Sequence, residues 1–340
     1  MQPDGVGREY SARPFRRLGM GADVTNATNL HNRPGTDSRN GYATYQTRWT
    51  ERLWRRTRVY LLLAPAMGIL LTLVIYPLFF SLSKSFSSFN LVMPTEEFVG
   101  FKNYARALSD PNFRASLMFT ILFAVVATGF ELILGFTAAL LLRRNFVGKR
   151  LVSIILIMPM MITPVVVGII WLLMFQPGFS VINGLLAQIG IDGPIWLQNP
   201  WTARIAVIVA DIWQWTPFFI LILLSGLLNL PVEVLEAAEV DGASARQKLY
   251  YITLPMMRPF IMVALLIRLI DSFKMFDVAF IMTNGGPVSA TETLSLYIYR
   301  TGIPFLDMGY ASAMSYLFLI LLSIASTILI RQLRKTNITT

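Results

Sequence analysis

The sequence predicts an all-α membrane protein with six transmembrane helices, and three observations carry that expectation. Of 340 residues 55% are hydrophobic and 14% charged, and the mean hydropathy is +0.57, far above the needs of a soluble globular domain. Apolar runs recur at the length of about 20 residues that a helix needs to cross roughly 30 Å of hydrocarbon. They are continuous, as in LLLAPAMGILLTLVIYPLFF at 61–80, whereas barrel strands alternate apolar and polar residues.

Residues 1–58 are rich in Gly, Asn, Thr and Arg and lack apolar periodicity, so they read as an uncleaved, mostly disordered basic tail. Arg48, Arg52, Arg55, Arg56 and Arg58 stand directly before the first apolar run, as a topology anchor with affinity for anionic membrane lipid. The aromatic pattern of a nucleic-acid site is missing, so no nucleic-acid partner is expected.

The six spans fall near Val59–Phe80, Ala115–Leu142, Leu151–Phe175, Thr202–Leu228, Phe260–Thr283 and Leu306–Ile330. They form one transmembrane domain over 59–330, followed by a short tail at 331–340. Most of the 29 Lys and Arg residues lie in the N-terminal tail, the 143–150 and 229–259 loops and the C-terminal tail. The positive-inside rule therefore puts both termini in the cytoplasm. The chain has no cysteine and a single histidine, His31, which excludes disulfides, thiolate metal sites and multi-histidine clusters, so no metal is expected.

The loop at 231–259 is polar but ordered. Pro231 can start a helix, Glu233 and Glu236 suit the positive end of its dipole, and Gly242 can end it in the left-handed conformation. Ser244 with Gln247 has the form of a capping box, which restarts a second helix expected to stop by Pro255. The expected shape is helix, turn, helix, with Ala237, Ala238 and Ala243 keeping the bend thin enough to enter another protein's groove.

The pattern formed by Glu236, Ala237, Ala238, Asp241, Gly242, Ala243, Ile252, Leu254, Pro255 and Pro259 resembles the EAA loop of ABC importer permeases. Two further stretches, MTNGGPVSATETLSLYIYR at 282–300 and FVGFKNYARAL at 98–108, are similar to periplasmic segments of the carbohydrate-importing branch, the maltose-permease-like and glycerol-phosphate-permease-like proteins. The resemblance spans residues 59–330 and implies the type I importer permease fold, with the MetI-like transmembrane domain. It implies that Glu236, Ala237, Ala238, Asp241, Gly242, Ala243, Leu254 and Pro255 couple the chain to a cytoplasmic ATPase. The implied partners are an ABC ATPase dimer, a second homologous permease and an extracytoplasmic sugar-binding protein. The implied place is a bacterial or archaeal plasma membrane, crossed several times.

Ionisable residues inside spans cost roughly 2.5–3.5 kcal/mol on insertion scales and are by default functional or paired. The fourth span carries Asp211, with Gln214, Trp215 and Phe218 at i+3, i+4 and i+7. The fifth carries Arg268, with Asp271, Ser272 and Met275 at the same spacings, and Lys274 and Asp277 further round. By the resemblance these two faces match the sugar-holding positions of the maltose permease. Two readings stay open. Polar groups with aromatic rings suit a polyhydroxyl ligand; alternatively, Arg268 with Asp271, and Lys274 with Asp271 or Asp277, are local ion pairs that neutralise one another. Phe218 and Met275 individually suit packing. Three carboxylates against two cations favour a neutral sugar over the alternative, a glycerol-phosphate-type ester.

No G-x-x-x-x-G-K-[ST] loop is present, so ATP is expected to be used by the partner subunit and the chain is a transport subunit rather than an enzyme, with no cofactor of its own. A secondary transporter would show internal repeats. A membrane enzyme would need an acid/base pair, and a channel a filter loop; neither is evident.

Overall fold

The computed structural model describes residues 61–92, 96–178 and 180–337. The basic tail with its arginines and His31, and the first two residues of the predicted first span, lie outside the described residues. The chain divides into two compact units, Met1–Met67 and Gly68–Thr340. Of the first, Leu61–Met67 are described, as a helical segment with exposed side chains.

The described chain is helical, with isolated bridges Ser87–Phe98 and Asn90–Asp307 as its β pairing. Five helices are long and apolar enough to cross a membrane: α1 (Leu61–Ser85), α3 (Pro111–Arg143), α7 (Pro200–Leu228), α9 (Ala245–Phe273) and α12, which meets that test over Met308–Gln332 and continues to Asn337. Short helices connect them: α2 (Lys102–Ser109), α6 (Val181–Gln188), α8 (Val232–Val240), α10 (Asp277–Thr283) and α11 (Leu294–Gly302). Two of the long helices, α3 and α7, start on side-chain caps followed by proline. The Asp110 carboxylate accepts from Asn112 N–H at 2.9 Å before Pro111, and the Asn199 amide oxygen accepts from Trp201 N–H at 2.9 Å before Pro200. Each cap satisfies an orphan donor, and the proline uses a position where no N–H is needed.

Two predicted spans are corrected. The stretch expected as one span over Leu151–Phe175 is a broken pair, α4 (Lys149–Ile157, extended by a 3₁₀ turn Met158–Met161) and α5 (Pro164–Phe175), bent by 103°. Pro159 and Pro164 explain the break, since neither supplies a helical N–H and Pro164 forces Thr163 into extended backbone. The fifth span begins at Ala245 and ends at Phe273, rather than running over Phe260–Thr283; Lys274 caps it and Asp277 opens α10.

Three apolar clusters hold the helices of the larger unit together. The first joins Phe123 of α3, Trp171 of α5, Val207 of α7 and Val278 of α10. The second joins Phe113, Phe273, Leu294 and Met314. The third joins Ala139 of α3, Leu223 and Leu227 of α7 and Met257 of α9. Beside the third, a Cβ on Gly135 would lie 2.4 Å from Cβ of Phe219, so α3 and α7 touch through a missing side chain, as apolar spans do where backbones approach closely.

Candidate functional site: a charged cavity and a bent loop on one helix

The bent loop lies at the start of α9. Ala243 N–H donates to Ala238 O at 2.9 Å and Gly242 N–H to Glu239 O at 3.1 Å, a Schellman stop whose glycine has φ +79°. The capping box forms as expected: Ser244 N–H donates to the Gln247 amide oxygen at 2.7 Å, and Gln247 N–H to the Ser244 hydroxyl at 3.3 Å. Lys248 Nζ reaches Glu239 at 2.6 Å, tying the two arms across the bend. That hydrogen bond and charge hold the Glu239 carboxyl below its usual range. Val240, Tyr250 and Tyr251 stand exposed around the corner, as do Glu236, Ala237 and Asp241.

One expectation fails here. The second arm does not stop by Pro255. A π-helical stretch, Lys248–Thr253, precedes the proline, and the helix continues through Leu254 and Pro255 to Phe273. The wider turn rearranges the carbonyls that Pro255 cannot serve and relieves its ring of the clash that ends an ordinary helix. The second arm and the fifth span are therefore one continuous helix of 29 residues, with the bend just before it.

Near the far end of that helix sits Arg268, 1% exposed. Its Nε and Nη2 donate to the two oxygens of Glu131 on α3 at 2.8 and 2.9 Å, a bidentate pair. Nη2 also donates to Asp211 on α7, and Nη1 approaches Asp271 at 3.4 Å. The guanidinium stacks 5.0 Å from the ring of Trp215. One arginine thus fastens three spans, and its main partner is absent from the sequence expectation. Glu131 is a carboxylate inside an apolar run, so ionisable residues occupy three spans, not two. That signal was available in the sequence; the pairing, 137 positions away, was not.

A cavity of about 120 Å³ opens beside the cluster, lined by Asp211, Gln214, Trp215, Arg268, Asp271 and Lys274 among others. A second, more apolar cavity of about 380 Å³ shares Trp215, Arg268, Asp271 and Lys274 and adds Phe218. Gln214 is 1% exposed; its Nε2 donates at 3.0 Å to Ile162 O, a carbonyl at the break between α4 and α5. The bent span is thereby fixed to the cavity wall. Among the described residues the Gln214 Oε1 has no hydrogen-bond partner.

Of the predicted residues, Asp211, Gln214, Trp215, Arg268 and Asp271 converge as expected. Ser272 does not join them: it is buried against α3, with its hydroxyl 3.2 Å from that of Thr128. Met275 is not on the face of α9, because the helix ends at Phe273; it reaches the cavity from the following turn. Among the described residues no ion pair joins Lys274 to Asp271 or Asp277, although all three side chains line the cavity.

Comparison with known proteins agrees with this geometry. Residues 131–337 match the family model described as binding-protein-dependent transport system inner membrane component. The chain is 38% identical over 277 residues to a probable ABC transporter permease protein, y4oQ, of Sinorhizobium fredii, covering 81% of this chain and 89% of the relative. It is 34% identical over 265 residues to the trehalose/maltose transport system permease protein MalF of Thermococcus litoralis, covering 77% and 88%. A chain of a bacterial ABC transporter involved in the import of the acidic polysaccharide alginate superposes with a TM-score of 0.74 at 23% identity, over 85% of this chain and 99% of that one, which shows the fold. The chain belongs to the binding-protein-dependent transport system inner membrane components, the permease subunits of ABC importers.

Proposed function

We propose that this permease moves a neutral carbohydrate inward by alternating access, driven by a separate ATPase dimer that grips the bend at Glu236, Ala237, Ala238, Asp241, Gly242 and Ala243, with Leu254 and Pro255 carrying the motion into the span. A second homologous permease and an extracytoplasmic sugar-binding protein complete the machine, and both termini face the cytoplasm. The orientation rests on the basic loop 143–150, which follows α3 at the same end as Ala139, Leu227 and Met257, beside the bend.

The observation that carries the substrate reading is the cavity. Arg268 is held in its bidentate pair by Glu131 and by Asp211, which leaves the half-exposed Asp271, the exposed Lys274 and the half-buried Trp215 ring to meet a ligand. Both hydrogen-bonding signs with an aromatic face suit hydroxyls and the C–H surface of a sugar. A phosphate ester would want a free guanidinium, and this one is occupied. The trehalose/maltose relative supports the same class.

Asp271 gives the cleaner test, because Asp211 sits inside the buried cluster while the Asp271 side chain is 47% exposed. Uptake of ¹⁴C-labelled trehalose, maltose, glucose and xylose is measured in cells carrying the whole importer. Asp271→Ala is expected to lower the uptake of the transported sugar while co-purification of the ATPase is unchanged. Wild-type kinetics in that variant, or no binding-protein-dependent uptake of any of the four sugars, would count against the reading.

A further inference from the structure

At the end of the unit away from the bend lies a cleft of about 590 Å³ that the coupling account does not use. Its walls include Phe280 and Tyr299 on the aromatic side and Asn284, Ser289, Glu292 and Arg300 on the polar side. Phe280 of α10 stacks on Phe276, the residue that precedes that helix, with ring centroids 5.3 Å apart and planes inclined by 14°. Tyr299 of α11 meets both rings edge-on, at 5.2 and 5.9 Å. Phe276 itself lines the charged cavity at Arg268. An unbroken aromatic track therefore runs from the cleft to the inner cavity.

The polar wall is built and held. Glu292 is 4% exposed, and its carboxylate accepts from Arg300 at 2.7 Å; Arg300 also donates to Asn284 O. Asn284, Val288 and Ser289 have φ of +48°, +48° and +57°, in a region that β-branched Val288 strongly disfavours. Such backbone persists only where its surroundings over-determine it, and such sites cluster at functional places. Here Thr291 Oγ1 donates to Gly286 O at 2.7 Å, and Arg204 Nε donates to Ala290 O at 2.8 Å, fixing the loop from inside and out. Among the described residues, three of the four positive-φ non-glycine positions fall in this one loop.

We infer that this cleft is an outer carbohydrate subsite, in which a sugar rests on Phe280 and Tyr299 and hydrogen-bonds Asn284, Ser289 and the Glu292–Arg300 pair before moving along Phe276 to the inner cavity. Aromatic faces take the C–H surface of a pyranose, and a fixed carboxylate with a fixed guanidinium presents an acceptor and donors to its hydroxyls. The inference rests on the carbohydrate reading of the inner cavity and adds a second site to it.

The chain has no cysteine, which allows a single reporter to be placed beside the cleft. Full-length chain carrying Val288→Cys, at an exposed position next to the cleft, labelled with a trifluoromethyl group and held in nanodiscs, is titrated with trehalose, maltose, glucose and xylose by ¹⁹F NMR. The sugar taken up by cells is expected to shift the reporter in a saturable way. Tyr299→Ala removes that shift, Tyr299→Phe retains it, and Asp271→Asn in the inner cavity retains it. If the shift survives Tyr299→Ala but is lost in Asp271→Asn, the sugar is sensed from the inner cavity alone and the outer subsite is overturned. A shift produced by the sugar-free binding protein and by no sugar makes the cleft a docking face, which also overturns it. If none of the four sugars enters wild-type cells, the carbohydrate reading itself fails; uptake without any reporter shift fails the outer subsite alone.

Discussion

Arg268 decides how the buried end of α9 is held. Two fully buried carboxylates, Glu131 and Asp211, face it, and a third, Asp271, borders the cavity. Removing the cation leaves negative charge stranded in an apolar interior, which costs about 3–5 kcal/mol. Arg268→Ala is therefore expected to lower the melting temperature of the detergent-solubilised chain sharply. Arg268→Lys keeps the charge but loses the bidentate fork and the stacking on Trp215, so it should fall in between. Equal melting temperatures for wild type and Arg268→Ala would show that the cluster does not hold the spans. Three of its four charges are readable in the sequence: Asp211, Arg268 and Asp271 stand out as ionisable residues within or beside apolar runs. Local spacing favours i,i+3 partners, however, and the shortest carboxylate contacts to Arg268 come from other helices. Only packing reveals those.

Among the elements, the junction of α2, α3, α11 and α12 is fastened by Asp110. Its Oδ2 accepts from the hydroxyls of Tyr297 at 2.5 Å and Tyr310 at 2.7 Å, while its Oδ1 caps α3. Burial pushes the Asp110 carboxyl up, but these hydroxyls and the N–H groups of Asn112 and Phe113 outweigh it and hold it below the usual range. Burial and Asp110 together push the Tyr297 phenol up to about 12. For a depressed carboxylate the stabilisation is complete above the unfolded value, about 3.9, and is lost as pH falls through the folded value. The melting temperature should thus drop as pH falls below about 4, and Asp110→Asn should flatten that drop. An identical acid slope in the variant would assign it to other groups. Element boundaries show where sequence patterns mislead. Pro255 reads as a stop, yet a π-helical stretch precedes it and the helix runs on through it, whereas Pro159 and Pro164, inside a run that reads as one span, break it by 103°. A proline's effect depends on whether the preceding turn can widen, which hydropathy does not encode.

At the scale of the whole molecule, the bend and the cavity are joined by one continuous helix, Ala245–Phe273, with the capping box at its start and Arg268 and Asp271 near its end. The corner at Gly242 meets that helix through the Ser244–Gln247 capping box, while Gln214 holds the broken span to the same cavity. The fold class, the loop motif and most of the cavity residues were legible because each is written in local pattern: apolar length, capping spacing, charges inside spans. The continuity of that helix was not, because it depends on a proline being absorbed. If motion at the bend drives transport, uptake must depend on the surface of its corner. A Cβ at Gly242 meets nothing within 4 Å, so Gly242→Asp perturbs that surface with little cost beyond its φ of +79°. Sugar uptake by cells carrying the Gly242→Asp importer tests this directly. The variant is expected to insert at wild-type level with uptake reduced to background; wild-type uptake with the ATPase assembled would contradict coupling through the bend.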